Sequence, residues 1–240
     1  MTVSLDRPST RNSQTPATWR ALAAVGESLP SGTRVVVVRS TGPDFSSGID
    51  RNALTPAGVD GESPLATIAA STDAQAAELI AGFQAGFAWL HDRDDVVSLA
   101  VVQGSAIGAG FQLALACDLR VCAPDARFAM RETSLGLVPD LTGTHPLVRL
   151  VGYSRALDLC LTGRWLHAPE AHDWGLATVV DPQPDSAAAR LIEALLASPH
   201  EAARSTKAVL RGALTNDPVA QRRLERETQV SLLRGLIAGG

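Results

Sequence analysis

Apolar positions along this chain recur with two periods, about two residues and three to four, and each switch between them marks an element. Thr2-Val3-Ser4-Leu5 alternates like a short strand and runs into a turn at Asp6-Arg7-Pro8. Opening inside a strand implies either an earlier stretch absent here or a shortened first hairpin. Thr15, a capping residue, precedes Pro16 and then Trp19, Leu22, Ala23, Val25 and Leu29 at helical spacing, so a helix is expected. Val35 to Val38 is an unbroken β-branched run between Ser31-Gly32 and Thr41-Gly42-Pro43-Asp44, the pattern of a strand covered on both faces.

The segment from Thr55 to Pro64 has no periodicity and reads equally as a mobile flap or a plain surface loop, ahead of an alanine-rich helical stretch that runs to Leu90. Val96 to Val102 predicts a second buried strand, followed by Gly104, Gly108 and Gly110 and then a helical run from Phe111 to Ala116. Leu119 to Ala123 and Leu176 to Val180 read as further strands. Leu147 to Leu161 and Pro169 to Trp174 read as helices. Such alternation predicts an α/β fold with largely parallel sheets. Beyond Asp181-Pro182-Gln183-Pro184 the spacing is helical only, over Ser186 to Leu214 and Val219 to Ile237. The expected division is therefore a core over 1–182 and a helical carboxy-terminal region over 183–240.

Composition narrows the picture. With 45% hydrophobic and 19% charged residues among 240, disordered and coiled-coil readings fall away. A net charge of −4 offers no broad cationic surface, so nucleic acid is not an expected partner. Arg222, Arg223 and Arg226 alternate with Glu225 and Glu227, as on a solvated helix face. Cys117, Cys122 and Cys160 lack C-x-x-C spacing and are expected to be buried reduced thiols, while His167 and His172, five apart, are expected at the surface; no metal site is expected. Without a leader or an apolar run approaching the roughly 20 residues of a membrane span, the expectation is a cytoplasmic protein that does not enter membranes.

Two glycine-containing loops, Ser46-Ser47-Gly48-Ile49-Asp50 and Ala106-Ile107-Gly108-Ala109-Gly110, each follow a predicted buried strand, where open α/β folds place their binding sites. The second opens a helix, whose first-turn N–H groups lack intrahelical acceptors and suit an anion or a developing oxyanion. A dinucleotide fingerprint would need glycine at position 113, which is Leu113, and no lysine follows for a phosphate loop. Close helix packing by small residues is the plain alternative. Downstream, Phe128 to Asp140 carries Glu132 and Asp140 among apolar neighbours, a setting that disfavours their charged forms and suits proton transfer near neutral pH. Their plain readings are a helix cap from Asp140 and an ion pair between Glu132 and Arg131.

These motifs together resemble the enoyl-CoA hydratase/isomerase, or crotonase, family. Asp6 to Asn12 resembles its R-P-x-x-R-N opening, Phe45 to Asp50 its F-x-x-G-x-D loop, and Gly104 to Asp118 its G-x-x-x-G-G-G-x-x-L-x-x-x-C-D segment. Phe128 to Asp140, Gly152 to Ala156 and Leu161-Thr162-Gly163 continue the series in order, to about Val180. The resemblance implies a spiral of ββα turns followed by carboxy-terminal helices that pack as a homotrimer, often paired into a hexamer. It places the oxyanion donors at the backbone N–H of Ile49 and Ala109, holding the oxygen of an acyl-CoA thioester as it becomes an enolate. It puts coenzyme A contacts around Ser9 and Arg11 and near Asp50 and Arg51. No cofactor is implied, since coenzyme A belongs to the substrate.

Hydratases of the family use two glutamates, whose aligned positions here are Gln112 and Glu132. Gln112 takes up no proton at neutral pH. Asp140 falls where some members, isomerases and a dehalogenase among them, carry a catalytic aspartate. One carboxylate that removes a proton and returns it elsewhere suffices for a double-bond shift. The expectation is therefore an enoyl-CoA isomerase with Glu132 or Asp140 as shuttle and Gln112 as a polar positioner. A hydratase pairing Glu132 with Asp140, a non-catalytic acyl-CoA binder, and a serine hydrolase using Ser105 are the alternatives.

Overall fold

The computed structural model describes residues 1–238, so 239 and 240, the end of the expected carboxy-terminal region, lie outside it. The strands among the described residues are β1 (Thr2–Leu5), β2 (Val35–Ser40), β3 (Val97–Val102), β4 (Ser105–Ile107), β5 (Leu119–Cys122), β6 (Arg127–Ala129), β7 (Leu166–His167) and β8 (Val179–Val180). Five of them form a wholly parallel sheet in the order β1-β2-β3-β5-β8, and β4-β6-β7 form a second, smaller one. This is the expected α/β architecture.

Both faces of the larger sheet are covered, which is why its strands are apolar without alternation. On one side lie α1 (Pro16–Glu27), α3 (Asp73–Asp92) and α4 (Ala109–Ala116), around a core containing Phe45, Phe87, Phe111 and Phe128, while the short α2 (Pro64–Ala69) buries no residue and packs outside them against α3. Helix α1 starts where expected because Thr15 and Thr18 exchange capping bonds ahead of Pro16, and Thr72 with Gln75 does the same for α3. The two helices close on each other through Gly26, where a β-carbon would sit 2.5 Å from the Trp89 ring.

Further along come α5 (Thr144–Val151), α6 (Tyr153–Thr162) and α7 (Ala168–Asp173), then α8 (Pro184–Ala197), α9 (His200–Gly212) and α10 (Pro218–Ala238). Helix α8 lays Ala187, Ala188, Leu191 and Ile192 over Leu99, Val101 and Val121 on the sheet's other face. Helix α9 is pinned by Lys207, whose Nζ donates to Val96 O and Asp118 Oδ2, both at 2.7 Å. A cleft of about 690 Å³ runs between α9 and the sheet, floored by Val97, Leu119, Leu195 and Leu210. Among the described residues no helix is long and apolar enough to cross a membrane.

The structure corrects several expectations. The helix expected over Leu147 to Leu161 is two, broken at Gly152, whose φ of 81° ends the first. Ser198-Pro199 divides Ser186 to Leu214 in the same way, since proline cannot continue the preceding helix. The strand expected over Leu176 to Val180 shrinks to β8, because Leu176 and Ala177 donate instead to Ala171 O at the end of α7. Strands β4, β6 and β7, two or three residues each, are too short to show a period. Cys117 and Cys122 are buried, and burial pushes both thiols up to about 12, but Cys160 is only half-buried. His167 and His172 are exposed, as expected.

Candidate active site

The first loop is held from the amino-terminal turn. Pro8–Thr10 makes one 3-10 turn, after which Arg11 and Asn12 adopt left-handed φ values of 55° and 54°. Asn12 fastens that conformation: its Oδ1 accepts Arg7 N–H at 2.8 Å, and its Nδ2 donates to Thr41 O and Asp44 O at 2.8 and 2.9 Å. Gln14 then pairs in parallel with Ile49, donating its N–H to Gly48 O at 2.7 Å and accepting Asp50 N–H at 2.8 Å. That pairing uses the groups on either side of Ile49 and turns the N–H of Ile49 itself to the opposite side.

On that side lies the second loop. Ser46 pairs with Ala106, donating to Ser105 O at 3.0 Å and accepting Ile107 N–H at 2.9 Å. Gly48, at φ 86°, packs so closely that a β-carbon would lie 2.5 Å from Ile107 O and 3.5 Å from Ala109 N. Only glycine lets the loops meet there. Gly108 turns into α4, leaving Ala109 N–H in the first turn without an intrahelical acceptor. The backbones carrying the N–H groups of Ile49 and Ala109 thus meet at Gly48.

Glu132 sits against the same turn, its Oε1 3.2 Å from where a Gly108 β-carbon would be. Gln112, fully buried on α4, donates from Nε2 to Glu132 Oε1 at 2.7 Å. Its own Oε1 accepts the N–H of Leu141 at 2.8 Å and of Gly143 at 3.2 Å. One amide therefore ties the Glu132 carboxylate to the segment that follows Asp140. Glu132 Oε2 is buried, and no protein group among the described residues hydrogen-bonds to it. Burial raises the Glu132 carboxyl above its ordinary range, and the charge of Asp140 adds to that rise. Asp140 is raised as well, by burial. The pair is poised to exchange protons closer to neutrality than free carboxyl groups.

The plain readings of these carboxylates do not hold. Gly143, not Asp140, occupies the amino-cap of α5, and no ion pair joins Glu132 to Arg131 among the described residues. Ser105 is fully buried, and its Oγ accepts from Arg127 Nε at 3.1 Å, with no histidine bonded to it among the described residues. Ser9, Arg11 and Arg51 lie exposed near the first loop. The Arg11 guanidinium donates to Asp44 at 2.8 Å and holds that carboxyl below the usual range. Asp50 caps the short helix Arg51–Leu54 through Asn52 N–H and accepts from Ser13 Oγ at 3.2 Å, so its side chain braces the loop. Sequence reasoning gave no individual role to Gln14, Ser46 or Gln84, the last donating to Asp140 O at 2.7 Å. A buried polar residue at a core-facing position was the available signal for the first two. Among the described residues no cluster of three or more His, Cys, Asp and Glu side chains is placed to hold a metal ion.

The chain resembles known proteins over most of its length. Residues 1–235 match the family model described as enoyl-CoA hydratase/isomerase. A probable mitochondrial enoyl-CoA hydratase 2 of Arabidopsis thaliana is 33% identical over 74% of this chain and 55% of its own length. A mitochondrial Delta(3,5)-Delta(2,4)-dienoyl-CoA isomerase of Rattus norvegicus is 35% identical over 76% of this chain and 56% of its own. The chain thus spans little more than half of these curated relatives. A provisionally named enoyl-CoA hydratase of Thermobifida fusca YX, solved in complex with acetoacetyl-CoA, superposes with a TM-score of 0.93 at 47% identity, covering 98% of this chain and 91% of that one.

Proposed function

The chain belongs to the enoyl-CoA hydratase/isomerase family and has the crotonase fold, and from that premise we propose that it shifts the double bond of an enoyl-CoA thioester. The observation that carries this reading is the single half-buried glutamate beside the two loops, with glutamine rather than a second glutamate facing it. The N–H groups of Ile49 and Ala109 hold the thioester oxygen. Each donor of this kind contributes roughly 2.7 to 4 kcal/mol to the transition state. With the carbonyl polarised, a carboxylate takes a proton from the α-carbon of a 3-enoyl thioester, and the electron pair delocalises into a dienolate. Return of that proton to the γ-carbon moves the double bond into conjugation. Glu132 is the shuttle we assign to both transfers because Oε2 is uncommitted, and Asp140, whose carboxyl is also raised, is the other carboxylate that could carry the same proton out and back. Gln112 fixes the Glu132 carboxylate without competing for the proton.

Ser9, Arg11 and the backbone near Asp50 and Arg51 form the rim we assign to coenzyme A, which enters as part of the substrate; the scheme needs no other group. We assign residues 183–240 to association into a homotrimer or hexamer. In support, α10 buries no residue and exposes Val230, Leu233, Leu236 and Ile237. Offering a 3-enoyl-CoA and a 2-enoyl-CoA separately tests the reaction. Conversion of the first is expected. Hydration of the second with no shift in the first would instead assign Glu132 and Asp140 to a hydratase, and turnover of neither would assign the protein to acyl-CoA binding.

A further inference from the structure

Behind the first loop, a hydrogen-bonded line of buried side chains runs from α1. Trp19 Nε1 donates to Gln14 Oε1 at 2.9 Å, and Gln14 Nε2 donates to Ser46 Oγ at 3.2 Å. Ser46 Oγ accepts Gly48 N–H at 3.2 Å and donates to Asn12 O at 2.7 Å. Gln14 and Ser46 are both 0% exposed. Apolar residues of similar volume would fill this space without the cost of desolvating an amide and a hydroxyl.

The line ends on the backbone that aims Ile49. Gln14 grips the main chain on both sides of Ile49, while its side chain reaches Ser46 and, through it, the N–H of Gly48. Ser46 also touches α4, since a β-carbon on Gly110 would meet Ser46 O at 2.6 Å. One serine therefore spaces the loop that carries the first donor from the helix that carries the second.

We propose that Gln14 and Ser46 are positioning residues: together they form a buried strut that sets the direction of the Ile49 N–H relative to that of Ala109. The proposal rests on the reading of these two N–H groups as the thioester-oxygen site. Neither residue touches substrate. They act through the backbone, where a displacement of about 1 Å costs on the order of a hundredfold in rate.

The test uses the full chain and one probe, butyryl-CoA carrying carbon-13 at the thioester carbonyl. Its bound carbonyl stretch reports hydrogen bonding to the oxygen, and exchange of its α-protons in deuterium oxide reports enolate formation. With the wild type, the stretch is expected below its value in solution. Ser46→Ala and Gln14→Met should each reverse part of that displacement and slow exchange about tenfold or more, while affinity for free coenzyme A stays within about twofold. Ser46→Cys keeps a weak donor and acceptor and should restore part of the effect. If the wild type shows the displaced stretch and both variants retain it with unchanged exchange, the strut has no positioning role and the proposal falls while the oxygen site stands. If the wild type shows neither signal, the site reading itself fails. Should one variant unfold, the other decides, because the two cut the strut at different bonds. Unfolding of both, and of Ser46→Cys, would assign the strut to stability alone and overturn the proposal.

Discussion

Glu132 carries two consequences that pull in opposite directions. Burial raises its carboxyl, chiefly by desolvation and secondarily through the charge of Asp140, so it serves as a base only once pH has risen past its folded value. The acid limb of kcat/KM should therefore lie above the ordinary glutamate value of about 4.3. Asp140→Asn removes the like charge and should move that limb to lower pH; an unmoved or upward-shifted limb would separate the two carboxylates electrostatically. A folded value above the unfolded one also means that this group contributes stability at low pH and loses it as pH rises through the folded value. Glu132→Gln keeps an acceptor for Gln112 and removes a buried charge. Turnover should fall by about 10² to 10⁴. At neutral pH the melting temperature should rise, because the variant no longer holds a charge that burial disfavours. That gain should shrink toward pH 3, where wild type and variant are both uncharged at this site, and calorimetry across the range checks it.

Helix α4 shows how an element is fitted to a site. Its eight residues are all buried, so helix propensity has little say in its sequence. Replacing Gly110 by alanine would gain up to about 1 kcal/mol of propensity. The same β-carbon would strike Ser46 O at 2.6 Å, a main-chain atom that cannot step aside. The clash outweighs the gain. Gly110→Ala should lower stability by about 1 to 3 kcal/mol, as overpacking does, and depress turnover by spreading the two loops; urea unfolding and initial rates measure both. Much of this was legible beforehand. The β-branched runs of β2 and β3 and the Thr15-Pro16 cap revealed themselves because burial and capping leave local patterns. Gly152 and Ser198-Pro199 carried breaks in plain view, yet apolar spacing across them read as continuous. The two glycine loops were found as motifs, but the contacts between them were not. The Gln112 amide joining Glu132 to Leu141 and Gly143, and the Gln84 bond to Asp140, link segments with no shared period.

Across the whole molecule, the larger sheet pairs Thr2 with Val37, Val35 with Val97 and Val121 with Val179, joining segments far apart in the chain. Native edges are modest, four residues in β1 and two in β8, and they offer few free backbone groups to a neighbouring molecule. Before the sheet forms, matters differ. Pairings that must close long loops form late, and until then Val35-Val36-Val37-Val38 is exposed with high strand propensity and no charge of its own. Arg34 and Arg39 flank that run. In the native state both reach across to α8 or the residues just after it, Arg34 to Leu196 O and Ser198 O and Arg39 to Asp185. In the unfolded chain they become gatekeepers, two like charges that keep valine runs of separate molecules apart. Arg39→Ala removes only an exposed ion pair from the folded protein, which costs at most about 1 kcal/mol. Its refolding yield should nevertheless fall steeply with protein concentration, with light scattering rising as native signal is lost. This arginine protects the chain most during the interval before it has a structure at all.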